Sequence, residues 1–531
     1  QKRLASLSIH RPSHEGFNMN ATLFNFAQHI FSLNKSRASK LAFIDDTRTL
    51  TYGELERQAR RTAASLIQLG LRREERVFVL MHDNVDWPVA FLGCMYAGIV
   101  PVAVNTLLPS DDLAYMLAHS RSRAAIVSEA LLPTFNEALA KSPAHEVQHT
   151  LISKPALSQA FIDKACEPMA SPASTHPDDI GFWLYSSGST GKPKGTVHTH
   201  ANPYHTAELF GKAVLGIQES DVLFSAAKLF FAYGLGNGLT FPLSVGATVI
   251  LSAERPTPDA VFKRWTGATA VLAGVKPTIF FGAPTGFAGM LAAPNLPAKS
   301  DVALRMCSSA GEALPRDIGE RFTKHFGVQI VDGIGSTEML HVYLSNRPDD
   351  VRYGTTGKAV AGYELSLRDD AGNEVADGEV GDLYIQGPSA ALMYWTRRDK
   401  SAETFQGAWL KSGDKYVRDA DGYYTYSGRS DDMFKVSGQY VSPFEVESTL
   451  MQHSAVLEAA VVAVLDENEL TRAKAYVVLK AGQIVSDALN TELQGFVKSK
   501  LAPHKYPRQI EFIAELPKTA TGKIQRFKLR S

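Results

Sequence analysis

Residues 87–104 read WPVAFLGCMYAGIVPVAV and carry no charge. A chain has two places for such a run, a lipid bilayer or a core closed on every side. The run is about long enough to span, but Pro101 divides it. Proline lacks the N–H and its ring clashes with the preceding turn, so a helix does not pass through it undisturbed. The reading is a buried helix, PVAFLGCMYAG, then a short buried strand, VPVAVN. A buried strand needs neighbours, and apolar runs at 76–81 (RVFVLM), 124–128 (AAIVS), 221–227 (DVLFSAA), 247–252 (ATVILS) and 269–275 (TAVLAGV) are the candidates. Residues 51–70, TYGELERQARRTAASLIQLG, have the apolar spacing of an amphipathic helix. Strands alternating with helices predict an α/β fold of mostly parallel sheets flanked by helices, and no membrane span.

From Gly362 the pattern changes. YELSLRD, GDLYIQG and GYYTYSG are short strands joined by Gly and Asp turns, which predict a small antiparallel β layer. Beyond SGRSDD (427–432) come a helix, SPFEVESTLMQH, two strands, EAAVVAVLD and AKAYVVLK, and a helix near 490–501. That is the content of a small α+β domain. A chain of 531 residues exceeds one ordinary core, and the expected division is 1–430 and 431–531.

The 55 basic and 55 acidic residues balance, which argues against bulk electrostatic binding to nucleic acid or to a membrane surface. Three cysteines, Cys94, Cys166 and Cys307, show no metal-type spacing and an odd count. A reducing, cytoplasmic setting is expected. His198 and His200 form H-x-H, but no acid or Cys nearby completes a ligand set, so a metal is not expected there.

The stretch LYSSGSTGKPKGTVHTH (184–200) has the glycines and hydroxyls of a phosphate cradle. It is not the Walker loop, because Gly188 stands only three positions before Gly191 and Lys192 is followed by Pro193. Taken with SSAGEALP (308–315), DGIGSTE (332–338), WLKSGDKY (409–416), GRSDDMFKVSG (428–438) and PKTATGKIQR (517–526), it resembles, in order and separation, the signature segments of the adenylate-forming superfamily. That superfamily holds acyl-CoA synthetases, peptide-synthetase adenylation domains and luciferases. LFFAYGLGN (229–237) with DGIGSTEMLHVYLSN (332–346) is most similar to its benzoate–CoA ligase group.

The resemblance implies a chemistry. A carboxylate is a poor electrophile until its oxygen joins a good leaving group. ATP provides one: the carboxylate displaces pyrophosphate, and coenzyme A then displaces AMP. The enzyme's part is positioning and charge stabilisation. By resemblance Ser186, Ser187, Gly188, Ser189, Thr190 and Gly191, with Lys192 and Lys194, hold the phosphates. Thr337 meets the α-phosphate, and Glu338 ligates Mg²⁺. Gly311, Glu312, Ala313, Asp332, Gly333 and Ile334 surround adenine, with Ile334 standing where many relatives stack an aromatic ring. Asp414 and Arg429 take the ribose.

Lys523 is the expected catalytic lysine, carried in by a mobile C-terminal domain that turns about Asp431. Lys435 and Gly438 then face the site, Gly438 leaving room for the pantetheine arm. The acid, expected to be benzoate, would lie among Phe231, Ala232, Tyr233 and Gly234 and a facing wall of Ala310, Gly335, Leu340 and His341. The alternatives are a hydroxybenzoate, an aminobenzoate or a medium-chain acid. A luciferase is separated by assay, and a non-catalytic nucleotide binder is opposed by the joint presence of Glu338, Asp414, Arg429 and Lys523. A homodimer, and an acetyltransferase or deacetylase acting on Lys523, are partners that the resemblance allows.

Overall fold

Thr51 accepts the N–H of Glu54 while the Glu54 carboxylate accepts the N–H of Thr51. This reciprocal cap starts the helix Tyr52–Gln68 where its apolar stripe begins. Leu55, Ala59, Ala63 and Leu66 on that stripe are buried, and they pack toward the helix Asp86–Tyr96, every residue of which is buried. The uncharged run is thereby accounted for. Its strand, Val100–Ala103, is fully buried at the centre of a seven-stranded sheet.

The computed structural model describes residues 23–154, 166–186, 192–269, 271–430, 432–436, 439–467, 470–518 and 524–530. The seven-stranded sheet runs Met393–Tyr394, Lys194–Thr199, Ile180–Ser186, Val100–Ala103, Arg76–Leu80, Ser122–Ser128 and His149–Ser153. Its pairings are parallel except for those of Lys194–Thr199, which runs against both neighbours.

A second sheet, of nine strands, has the parallel centre Ile330–Gly335, Met306–Ser309, Ile279–Gly282, Val222–Ser225, Thr248–Ile250 and Leu41–Ile44, with antiparallel edges. Ligands of open parallel sheets bind beyond the carboxyl ends of the strands. Residues 226–234, 310–313 and 336–341 lie there.

One expected strand is absent. Residues 271–275 form a turn in which Ala273 and Gly274 have φ of 47° and 87°. Extended backbone cannot include two left-handed residues, and the strand next to Val222–Ser225 is Ile279–Gly282 instead.

The antiparallel layer consists of Glu364–Arg368, Val380–Gln386, Trp409–Arg418, Tyr424–Arg429 and the short Phe405–Gln406. The chain beyond it builds a core of its own. Val456–Leu465 pairs with Thr471–Leu479, which pairs in parallel with Gln509–Phe512. The helices Pro443–Met451 and Asp487–Lys500 contribute Val446, Leu450, Leu493 and Val497 to that core. Among the described residues no helix is long and apolar enough to cross a membrane.

Candidate active site

The strands Ile180–Ser186 and Lys194–Thr199 are joined by the glycine-rich loop, and their register places Ser186 opposite Lys194. Ser187, Gly188, Ser189, Thr190 and Gly191 lie outside the described residues. At the loop's ends, the Lys192 ammonium stands 4.8 Å from the centre of the Tyr115 ring and that of Lys194 4.1 Å from the centre of the Tyr394 ring. Burial lowers the pKa of Lys194, and the Glu338 carboxylate pulls it the other way. Ser186 Oγ donates to Glu338 Oε1 at 3.4 Å, and Tyr394 OH donates to the same oxygen at 2.7 Å. Burial, and after it the Glu338 charge, push the Tyr394 phenol upward, so the hydroxyl remains the donor.

Among the described residues no three His, Cys, Asp or Glu side chains gather to hold a metal alone. A cation at Glu338 would take its other ligands from phosphate oxygens and water, a set that suits Mg²⁺.

Thr337 is held from behind. His198 Nε2–H donates to its carbonyl at 2.8 Å, and Asn202 Nδ2 donates to His198 Nδ1 at 2.9 Å. Those two bonds require the neutral imidazole, and burial accordingly lowers the pKa of His198 to about 4. His200 Nδ1 accepts the N–H of Phe26 at 3.3 Å. The H-x-H pair is therefore structural.

Asp414 and Arg429 are direct partners in the ladder of the antiparallel layer. Arg429 Nη1 donates to Asp414 Oδ1 at 3.1 Å and to the carbonyl of Ser412 at 3.4 Å. Asp332 is 3% exposed, and burial pushes its carboxyl well above the usual carboxylate range. Gly311, Glu312 and Ala313 follow the strand Met306–Ser309, with Glu312 accepting a hydrogen bond from Thr285 Oγ1 at 3.0 Å. Gly333 and Ile334 continue the strand of Asp332, Ile334 opposite Leu344.

Phe231 precedes a short helix, Ala232–Leu235, that widens into a π-helix, Gly236–Thr240. Single π turns are frequent at functional sites. Tyr233 OH donates to Ser308 Oγ at 3.1 Å, and His341 Nε2–H donates to the Tyr233 carbonyl at 3.2 Å. The His341 ring lies 4.5–5.4 Å, centre to centre, from Phe210, Tyr233 and Phe241, and burial lowers its pKa to about 3.

Three glycines permit this closeness. A Cβ on Gly234 would overlap the Lys228 carbonyl, one on Gly236 the His341 ring, and one on Gly335 the His341 carbonyl. Ala310, Tyr233 and Ile334 share one apolar cluster, whereas Leu340 packs in another that Phe231 and Ala232 border.

Lys523, Asp431 and Gly438, and the side chain of Lys435, lie outside the described residues. Their surroundings are ordered by ion pairs. Lys518 pairs with Glu458 at 2.6 Å, and Gln525 N–H donates to the Pro517 carbonyl at 2.8 Å. Arg526 forks onto the buried Glu447 at 3.0 and 2.7 Å and reaches Asp432 at 3.3 Å. On the other side of residue 431, Ser430 Oγ donates to Asp382 at 2.6 Å.

Sequence reasoning missed Tyr394, Asn202 and the supporting task of His198. Their partners are 56, 4 and 139 positions away, and no local pattern marks Tyr394.

Comparison with known proteins identifies the family. Residues 32–395 match the AMP-binding enzyme family, and 445–523 match the AMP-binding enzyme C-terminal domain. The chain is 54% identical over 515 residues to benzoate–CoA ligase of Thauera aromatica, covering 96% of each. It is 47% identical over 507 residues to 4-hydroxybenzoate–CoA/benzoate–CoA ligase of Rhodopseudomonas palustris, covering 93% of this chain and 91% of that one. Among solved structures it resembles a benzoate CoA ligase from Burkholderia xenovorans LB400, with 59% identity, a TM-score of 0.89, and coverage of 96% of this chain and 100% of that chain.

Proposed function

The chain belongs to the AMP-binding enzyme family, and from that premise we propose that it is an AMP-forming benzoate–CoA ligase. One observation carries the reading. The segment 332–341 runs from Asp332, through Thr337 and Glu338 beside the phosphate loop, to His341 against Tyr233. A ring seated by Tyr233 would therefore present its carboxylate to the α-phosphate.

In the first half-reaction a benzoate oxygen attacks the α-phosphorus and the bond to pyrophosphate breaks. Lys192, Lys194 and the hydroxyls of the 186–191 loop would hold the departing charge, and Asp414 with Arg429 the ribose. Mg²⁺ bound at Glu338 would neutralise phosphate charge. In the second half-reaction the coenzyme A thiolate attacks the acyl carbon and AMP leaves. Lys523 would bridge carboxylate and phosphate in the first step alone, which requires the body 431–531 to turn relative to 1–430 about Asp431. Lys435 and Gly438 would line the thiol's approach.

Acetylation of Lys523 would remove the charge this step needs. The three described cysteines are free and buried, which fits a cytoplasmic enzyme.

A panel of acids tests the assignment by CoA-dependent AMP formation. Benzoate should exceed 4-hydroxybenzoate, 2-aminobenzoate and hexanoate in kcat/KM by tens-fold or more, about the discrimination an apolar pocket gives. Preference for hexanoate overturns the ring pocket. A 4-hydroxybenzoate ligase is the second reading, favoured by the buried His341 Nδ1, which has no hydrogen-bond partner among the described residues. Asp431→Pro should leave benzoyl-adenylate formation intact and cut thioester formation sharply; equal activity in both steps would place the pivot elsewhere.

A further inference from the structure

We propose that Tyr394 is the positioning residue of the nucleotide end, directing Glu338 toward the metal and Lys194 toward the phosphates. The proposal rests on the reading of Glu338 as the Mg²⁺ ligand and extends it to a residue that no part of that reading uses. Tyr394 is 3% exposed. It is fastened at its backbone, where its N–H donates to Ser401 Oγ at 3.0 Å, while the Ser401 hydroxyl donates to the Arg397 carbonyl at 2.8 Å and lies 3.3 Å from the Tyr394 carbonyl. Its two-residue strand pairs with Lys194–Thr199 so that Tyr394 faces Thr196. Lys194, two residues before Thr196, lies on the same face of its strand, and its ammonium rests 4.1 Å from the Tyr394 ring centre.

The phenol meanwhile donates to Glu338 Oε1 at 2.7 Å, the length of a strong bond to an ionised acceptor. The Ser186 hydroxyl falls on the same oxygen. With Oε1 held, Oε2 is the oxygen left to present to a cation, and outer partners of this kind orient ligating carboxylates. The ring also separates two opposite charges that would otherwise pair. Lys194 and Glu338 form no ion pair in the structure, although the Glu338 charge acts on the lysine. Without the hydroxyl, Glu338 is free to swing toward Lys194, and each would then occupy the other instead of nucleotide and metal.

Tyr394→Phe removes the hydroxyl and keeps the ring. Mn²⁺ binding to the enzyme with a non-hydrolysable ATP analogue, read from the electron paramagnetic resonance of free Mn²⁺, needs no turnover. Its Kd should rise about tenfold, the low end for a lost hydrogen bond to a charged group. The Mg²⁺ concentration for half-maximal pyrophosphate release should rise by the same factor, while KM for benzoate stays within about twofold. Tyr394→Leu removes the ring as well and should in addition raise KM for ATP at saturating Mg²⁺. Ser401→Ala, which removes the acceptor of the Tyr394 N–H and with it a bond to the Arg397 carbonyl, should shift the Mn²⁺ Kd the same way by a smaller factor, and it serves if Tyr394→Phe folds poorly.

Glu338→Gln separates the two layers of the argument. If it weakens Mn²⁺ binding and Tyr394→Phe and Ser401→Ala do not, the role of Tyr394 is wrong. If Glu338→Gln leaves Mn²⁺ binding unchanged, the metal reading falls and the role of Tyr394 falls with it.

Discussion

Asp414 and Arg429 meet because two antiparallel strands set them opposite one another, whereas Tyr233 and His341 meet because glycines let two segments close on each other. The first region is a ladder with charged groups reaching out from it. The second is a matter of volume: rings packed against rings, with no room for one more carbon. The nucleotide end should therefore be sensitive to loss of charge and tolerant of small changes in size, and the ring end the reverse.

The largest effect is expected from a group that belongs to neither region. Lys523→Ala should lower benzoyl-adenylate formation about 10²–10³-fold, as removal of one transition-state charge partner does. Transfer from supplied benzoyl-adenylate to coenzyme A should change only a few-fold. Comparable losses in the two steps, measured separately, would mean that the lysine does not act on the first alone.

Next comes volume. The Cβ of Gly234→Ala would press on the carbonyl of Lys228, a backbone atom that cannot yield as a flexible side chain can. We expect kcat/KM for benzoate to fall about a hundredfold while KM for ATP is unchanged; misplacement near 1 Å costs that much. A matching rise in KM for ATP would erase the distinction between the regions. The converse test is Arg429→Gln, which removes charge and little volume. KM for ATP should rise about tenfold, and KM for benzoate should not move.

A net effect, left after opposing protonations cancel in part, falls on stability and reaches both regions together. Burial holds His198 and His200 to about 4 and His341 to about 3, below the unfolded value of about 6.5. As pH falls below 6.5 the unfolded chain takes up protons that the folded chain refuses, so stability is lost from there toward pH 4. Each histidine should lose roughly 2 kcal/mol by pH 5, at about 1.36 kcal/mol per pH unit. Buried Asp83, pushed up to about 6, and buried Asp332, pushed well above the usual carboxylate range, oppose this, because above about pH 4 the folded chain holds protons that the unfolded chain releases. His29, His82, His119 and His205, also lowered by burial, act in the same direction as these three; together the imidazoles outweigh the two carboxylates, and the urea midpoint should drop between pH 7 and pH 5. A midpoint independent of pH in that range would mean that the three imidazoles are not held neutral.

How much of this was legible along the chain varies with the kind of feature. The helix Tyr52–Gln68 could be read from its spacing, and the helix–strand division of 87–104 from Pro101, because both depend on neighbours a few residues apart. The expected strand at 269–275 failed for the same local reason in reverse: its apolar composition suited a strand, but the backbone turns at Ala273 and Gly274. Of the ring end, the sequence puts Tyr233 and His341 on facing walls of a pocket, whereas the structure joins them directly across 108 positions, His341 donating to the Tyr233 carbonyl. The contribution of Gly236 was not visible, since a glycine in a helical stretch looks the same whether or not a distant ring needs its space.

By itself the order of residues determined the α/β layers and the antiparallel layer, both of which arise from short-range backbone preference and from the need to bury apolar runs. Tertiary structure alone decided which polar groups act as supports. His198 holds Thr337 across 139 positions and Tyr394 holds Glu338 across 56. A hydrogen bond requires atoms to be placed within about 3 Å, and at such separations only the packing of whole sheets, not the identity of neighbouring residues, fixes a distance that closely.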